Sequence, residues 1–255
     1  MTVNGEDTDA VRRWRAAAPD SVLLDGFHAV KHALRFGAHV RQLLTSDREA
    51  MLGHAAELAP DLSAELAARA ESVAPETLRG LVPRLHPTST AALAERRDPA
   101  ANRQALYGSS RAAPIVVLED PRHLGNVGAV VRLAAGIGAT GVLTTGTTDP
   151  WHPSAVRGGA GLHYATAVER LALDALPDGP LYVLDPEGAE LRDTHLPDDA
   201  LLAFGTERHG VSDQLRARAD HLLALPMRPQ VSSYNLATSV AMTLYHWTTG
   251  TRTPR

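Results

Sequence analysis

From residue 114 onward the chain alternates two textures. Short unbroken apolar runs, bounded by turn residues, occur in "PIVVLED" (114–120), "TGVLTTG" (140–146), "PLYVLD" (180–185), "ALLAFG" (200–205) and "HLLALPM" (221–227). Runs of this kind predict strands buried on both faces, as in a parallel sheet. Between them lie stretches of helical period. "VGAVVRLAAGIG" (127–138) puts Val127, Val131, Ala134 and Gly138 on one side, and "NLATSVAMTLYHWTTG" (235–250) puts Leu236, Val240, Leu244 and Tyr245 on one face. "HPSAVRGGAG" (152–161) opens a helix and "SDQLRARAD" (212–220) forms another. Strands alternating with helices imply an α/β fold with a parallel sheet covered on both sides.

The pattern over residues 20–100 is shorter in period. "SVLLDGFHAVKHALRFG" (21–37) predicts a strand and then a helix carrying Phe27, Val30, Leu34 and Phe36, with Gly37 as its C′ residue. "VRQLLTS" (40–46) predicts a strand and the alanine-rich 48–73 is mostly helical, after which Pro75, Pro83 and Pro87 punctuate the chain. Residues 94–114 mix charge, small residues and one proline without periodicity, so they are expected to be a linker. The division expected is a small N-terminal domain over 1–100, a linker over 101–113 and a larger domain over 114–255.

Composition narrows the class. Apolar residues make up 44% of 255, enough for a sizeable core. No apolar run approaches the ~20 residues that cross a membrane, and the opening "MTVNGEDTDA" has no signal-peptide pattern, so no membrane association and a cytoplasmic location are expected. Cysteine is absent, which excludes disulfides and thiolate metal sites, and no metal is expected. The net charge of −4 argues against indiscriminate nucleic-acid binding but leaves room for local basic patches, of which residues 11–15 and 95–111 are the candidates.

Three strand ends carry polar residues beside a glycine or proline. "HLGNVGAVVR" (123–132) lacks the G-x-G-x-x-G spacing of a dinucleotide fold. Asn126 is placed to cap the following helix, and Arg132, among Ala, Val and Leu, is expected to be buried and to need a partner. Helical side chains lean toward the N-terminus, so Arg132 can reach back toward the Asn126 turn, where an anion would meet both. In "LLAFGTERHGVS" (201–212), Gly205 and Gly210 bracket a polar loop with Glu207, and Ser212 or Asp213 is the N-cap expected for the next helix. After Pro226, Ser232, Ser233 and Asn235 open the last helix, where capping is the plain reading. Ligands of open α/β sheets bind at the carboxyl ends of strands, so the three ends together predict one crevice.

In order and spacing these motifs resemble the SpoU-type branch of the SPOUT RNA methyltransferases, and "GNVGAVVR" is similar to the thiostrepton-resistance subgroup. The resemblance covers nearly the whole chain. It implies a trefoil-knotted parallel-sheet catalytic domain, a ribosomal-protein-like RNA-binding domain at the N-terminus, a homodimer, and methylation of a ribose 2′-hydroxyl from S-adenosylmethionine. By position it implies catalytic roles for Asn126, Arg132, Glu207, Ser233 and Asn235. Cofactor contacts are implied at Leu184, Gly205, Leu225, Met227, Tyr234 and Asn235, and RNA contacts at Arg122 and Arg157. Two departures stand out: Tyr234 replaces the usual leucine of the third motif, and Gly159 stands where a serine is common.

On this reading Arg132 stabilises the developing alkoxide electrostatically, since a guanidinium with pKa above ~12 is a poor base. The rival readings are a non-catalytic RNA-binding protein of the same fold, which predicts a broken polar set, and a nicotinamide oxidoreductase, which the missing glycine fingerprint disfavours. The RNA itself, ribosomal or transfer, and any role in antibiotic self-protection stay open.

Overall fold

A computed structural model of the chain describes residues 8–108, 111–206 and 209–250. The chain divides into two units: residues up to Arg97 together with Ala160–Ala165, and Asp98–Gly159 together with the residues from Thr166 onward.

In the first unit the order is α1 (Asp9–Ala17), β1 (Val22–Asp25), α2 (Phe27–Arg35), β2 (Val40–Thr45), α3 (Arg48–Leu58), α4 (Ser63–Arg69), β3 (Ala70–Ser72), α5 (Pro75–Leu81) and β4 (Thr90–Ala94). The sheet runs β1-β4-β2-β3, with β4 antiparallel to both neighbours and β3 parallel to β2. Trp14, Leu44, Leu78, Val82, Ala91 and Leu93 form one of its cores. α1, β3, α5 and β4 are absent from the sequence expectation. "TAALA" in β4 is helix-favouring by composition, yet all five residues are buried between two strands, so pairing overrides propensity. α2 ends with Gly37 at φ 78°, and the N–H of Ala38 reaches the carbonyl of Ala33, as a C′ glycine predicts. Phe36 lies past the helix end and is 48% exposed, so it does not belong to the buried stripe. On the same helix His32 binds the carbonyl of Ala160 through Nδ1 at 2.8 Å, and burial pushes its imidazole below the usual histidine range.

The second unit contains α6 (Pro99–Leu106), β5 (Ile115–Leu118), α7 (Leu124–Ile137), β6 (Gly141–Thr144), α8 (Pro153–Gly158), β7 (Ala167–Arg170), β8 (Leu181–Glu190), β9 (Leu201–Phe204), α9 (Asp213–Arg218), β10 (His221–Ala224) and α10 (Leu236–Gly250). The six strands are all parallel, in the order β10-β8-β9-β5-β6-β7. The five apolar runs became β5, β6, β8, β9 and β10. The sixth strand, β7, escaped notice because "AVER" sits at an edge and is only half apolar.

The expected linker contains α6. Asp98 caps it, Leu106 joins the core of the second unit, and buried Asn102 donates to Glu169 at 2.7 Å. Short length and mixed polarity hid this helix: only Asn102 and Leu106, four residues apart, are buried. α7 buries Val127, Gly128, Val130, Val131 and Ala134, and α8 packs so closely on it that a Cβ at Gly128 would collide with Ala155 and Gly159. On α10 the buried stripe is Leu236, Val240, Thr243, Leu244 and Trp247, whereas Tyr245 is 68% exposed. No described helix is long and apolar enough to cross a membrane.

Candidate active site

The carboxyl ends of β9 and β10 lie beside β8, the strand between them in the sheet. After β9, Thr206 and Gly210 exchange backbone hydrogen bonds at 2.8 and 3.1 Å, folding the loop back on itself. Gly205 lies against this turn, and a Cβ there would collide with the backbone of Gly210. Ser212 caps α9 through Leu215, as expected, and donates both its N–H and its hydroxyl to the Glu119 carboxylate at the end of β5. Glu119 is 8% exposed and pins the loop to the end of a fourth strand, β5. Its part was missed, although an acid closing an apolar strand was a visible signal.

These ends and β8 enclose a cavity of about 330 Å³ lined by Leu184, Asp185, Gly205, Leu225, Met227 and Tyr234, with Ser233 also on its wall. Leu184, Gly205, Leu225, Met227, Ser233 and Tyr234 were all named from sequence. The Tyr234 hydroxyl donates to the carbonyl of Pro226 at 2.9 Å, so the residue that departs from the usual leucine ties the two ends of its loop together.

Asn235 does not line the cavity, although both its chain neighbours, Tyr234 and Leu236, do. Its Oδ1 accepts from the N–H of Ala237 at 2.9 Å, which caps α10, while its Nδ2 donates to Asn126 Oδ1 at 3.1 Å. The first and third motifs, 109 residues apart, are thereby joined beside the cavity mouth.

Two expectations for the first motif are corrected. Asn126 is not the helix cap: α7 begins at Leu124 with His123 in that position, which places Asn126 in the first turn, where its Oδ1 accepts from Asn235. Arg132 is exposed rather than buried, and it is not among the cavity-lining residues. Among the described residues no hydrogen bond or ion pair holds its guanidinium. Its sequence neighbours are apolar, but Ala129, Leu133 and Ala135 are themselves only partly buried, because adjacent helical positions point in different directions.

Glu207 lies outside the described residues. Arg122 is exposed and paired with Asp120 at 2.6 Å, and Arg157 is half-buried on α8. Of the basic candidates, Arg12 and Arg13 pair with Asp9 and Glu71, and Arg111 donates to the carbonyls of Asp178 and Asp199, so these three serve the fold.

Comparison with known proteins agrees with this geometry. Residues 113–245 match the SpoU rRNA Methylase family. A 23S rRNA (guanosine(2553)-2′-O)-methyltransferase of Bacillus subtilis is 25% identical over 240 residues, 89% of this chain and 88% of the relative. A 23S rRNA (adenosine(1067)-2′-O)-methyltransferase of Streptomyces azureus is 29% identical over 157 residues, 56% of this chain and 58% of the relative. The chain spans only 26%, 51% and 58% of the lengths of three curated relatives that it matches. In fold it is similar to an AdoMet-bound rRNA methyltransferase from Sinorhizobium meliloti, with a TM-score of 0.76 and 21% identity over 96% of each chain. With the family matched over more than half its residues, the chain belongs to the SpoU rRNA Methylase family.

Proposed function

We propose that this protein is an S-adenosylmethionine-dependent methyltransferase acting on a ribose 2′-hydroxyl of ribosomal RNA. The observation that carries the reading is the Asn126–Asn235 hydrogen bond, which joins two motifs beside a cavity suited to the cofactor. The cavity has the size of a small-molecule site, and its residues fit the cofactor: Leu184, Leu225 and Met227 offer apolar surface to an adenine, while Ser233 and the Gly205 turn offer polar groups. The family relatives named for 23S rRNA 2′-O-methylation support the substrate class.

When bound, the cofactor supplies a methyl group made electrophilic by its sulfonium. The chain's own residues position the acceptor. Asn126, fixed by Asn235, orients the ribose or its phosphate, and Arg132, exposed and unengaged among the described residues, is available to the phosphate and to negative charge developing on the 2′-oxygen. Holding the hydroxyl in line contributes up to about 7–11 kcal/mol of barrier lowering in favourable cases. Ser233 and Glu207 complete the polar set by position in the motifs. Arg122 and Arg157 contact the RNA backbone, and residues 1–100 bind the RNA substrate.

The reading extends to assembly. The protein works as a cytoplasmic homodimer, supported by the exposed Tyr245 on α10 and by an Arg132 that a single copy leaves open to solvent. The C-terminal helix is threaded as a trefoil knot. In support, His246 reaches the carbonyl of Thr194 at 2.7 Å and Trp247 donates to Asp198 at 2.9 Å, which ties α10 to the segment before β9.

The test is incubation of ribosomal RNA with the protein and methyl-labelled cofactor, followed by mapping of 2′-O-methyl positions. Arg132→Ala is expected to lower transfer at least about a hundredfold while cofactor affinity changes less than twofold. Transfer by this variant at the wild-type rate would refute the role.

A further inference from the structure

The wall of the cavity contributed by β8 is unusual in register. β8 pairs with β10 through Tyr182–His221 and Val183–Leu222, then resumes at Ala189–Leu223 and Glu190–Ala224. Residues 184–188 are thus an excursion inserted in one strand of a parallel pair. It closes against the neighbouring strand so tightly that a Cβ at Gly188 would collide with the backbone of Leu222.

The excursion carries Asp185, a carboxylate only 8% exposed, on the cavity wall. A buried carboxylate costs several kcal/mol of desolvation unless it is paired and hydrogen-bonded. Among the described residues it has two partners: Oδ1 accepts from the N–H of Glu187 at 2.8 Å, and Oδ2 meets Arg216 Nη1 at 3.1 Å. A carboxylate offers about four lone-pair sites, so roughly half of its acceptor capacity is left on a residue that faces the cavity.

We propose that Asp185 is a cofactor-binding residue that accepts hydrogen bonds from the ribose hydroxyls of the bound nucleoside. The assignment rests on the cofactor reading above. Arg216 pairs with both Asp185 and Glu187, which fixes the carboxylate in place, and the lone pairs left on Asp185 suit the adjacent donors of two vicinal hydroxyls. Recognition by hydrogen bonding instead of net charge predicts equal dependence on Asp185 for S-adenosylmethionine and for the uncharged-sulfur product, S-adenosylhomocysteine.

Calorimetric titration of the full chain tests this without measuring catalysis. The ligands are S-adenosylmethionine, S-adenosylhomocysteine and the 2′-deoxy and 3′-deoxy forms of the latter. Asp185→Asn, checked for folding by thermal unfolding, is expected to weaken both parent ligands by about tenfold or more and to the same extent. On the wild-type chain at least one deoxy ligand is expected to lose a similar factor, and on Asp185→Asn that deoxy penalty disappears. If the variant does not fold, the wild-type series still decides: equal affinity for all three homocysteine ligands overturns the assignment. So does a folded variant with wild-type affinity, or one that loses only the charged ligand. If the wild-type chain binds neither parent ligand, the cofactor reading fails first and carries this assignment with it.

Discussion

Asn235 does two jobs with one amide. Its oxygen caps α10, and its nitrogen holds Asn126. The two can be separated by substitution. Asn235→Ala removes both, and the lost cap alone costs about 1 kcal/mol. Asn235→Ser restores a capping oxygen but is too short to reach Asn126. Stability measured by denaturant unfolding is therefore expected to recover in the serine variant while methyl transfer stays at least about tenfold down. Full recovery of both would reduce Asn235 to a cap and remove the observation on which the function rests. The plain capping reading of the third motif was right as far as it went; the second hydrogen bond was invisible, because nothing local to Asn235 says which residue lies opposite.

At the scale of elements, the site is made by how strands end. The β9 loop folds back on Gly205, and Glu119 of the neighbouring strand end holds Ser212 at its far side. This leaves no volume at Gly205. Gly205→Ala is expected to force the Thr206–Gly210 turn apart, at about 1–3 kcal/mol of stability as overpacking usually costs, and to weaken S-adenosylhomocysteine binding severalfold. An alanine variant with unchanged stability and affinity would show that the turn is not a fixed part of the cavity. The strands of this region were legible, since each is a continuous apolar run in a sheet buried on both faces. The β8 excursion was not: "LYVLDPEGAE" reads as one strand followed by a turn, and only pairing with β10 reveals a strand that leaves the ladder and returns.

At the scale of the whole molecule, the proposed homodimer makes a prediction about α10. Tyr245, at 68% exposure the largest unburied aromatic surface on α10, is the test position. Tyr245→Glu is expected to shift the protein from dimer to monomer in light scattering and to lower methyl transfer with it, while leaving unfolding of the single chain little changed. A variant that remains dimeric would remove α10 from the proposed interface.

The sequence by itself determined the α/β class and five of the six parallel strands, and its family resemblance pointed to six of the residues that line the cavity. Those features are written locally, in unbroken apolar runs and in glycines and polar residues fixed at strand ends. Tertiary structure decided what depends on neighbours distant in the chain. The order β10-β8-β9-β5 brings Leu184, Gly205 and Leu225 onto one cavity, places Asp185 on its wall and makes α6 part of a core instead of a linker. It also turned Arg132 toward solvent, since burial on a helix is set by what packs against each face and not by the residues on either side in sequence.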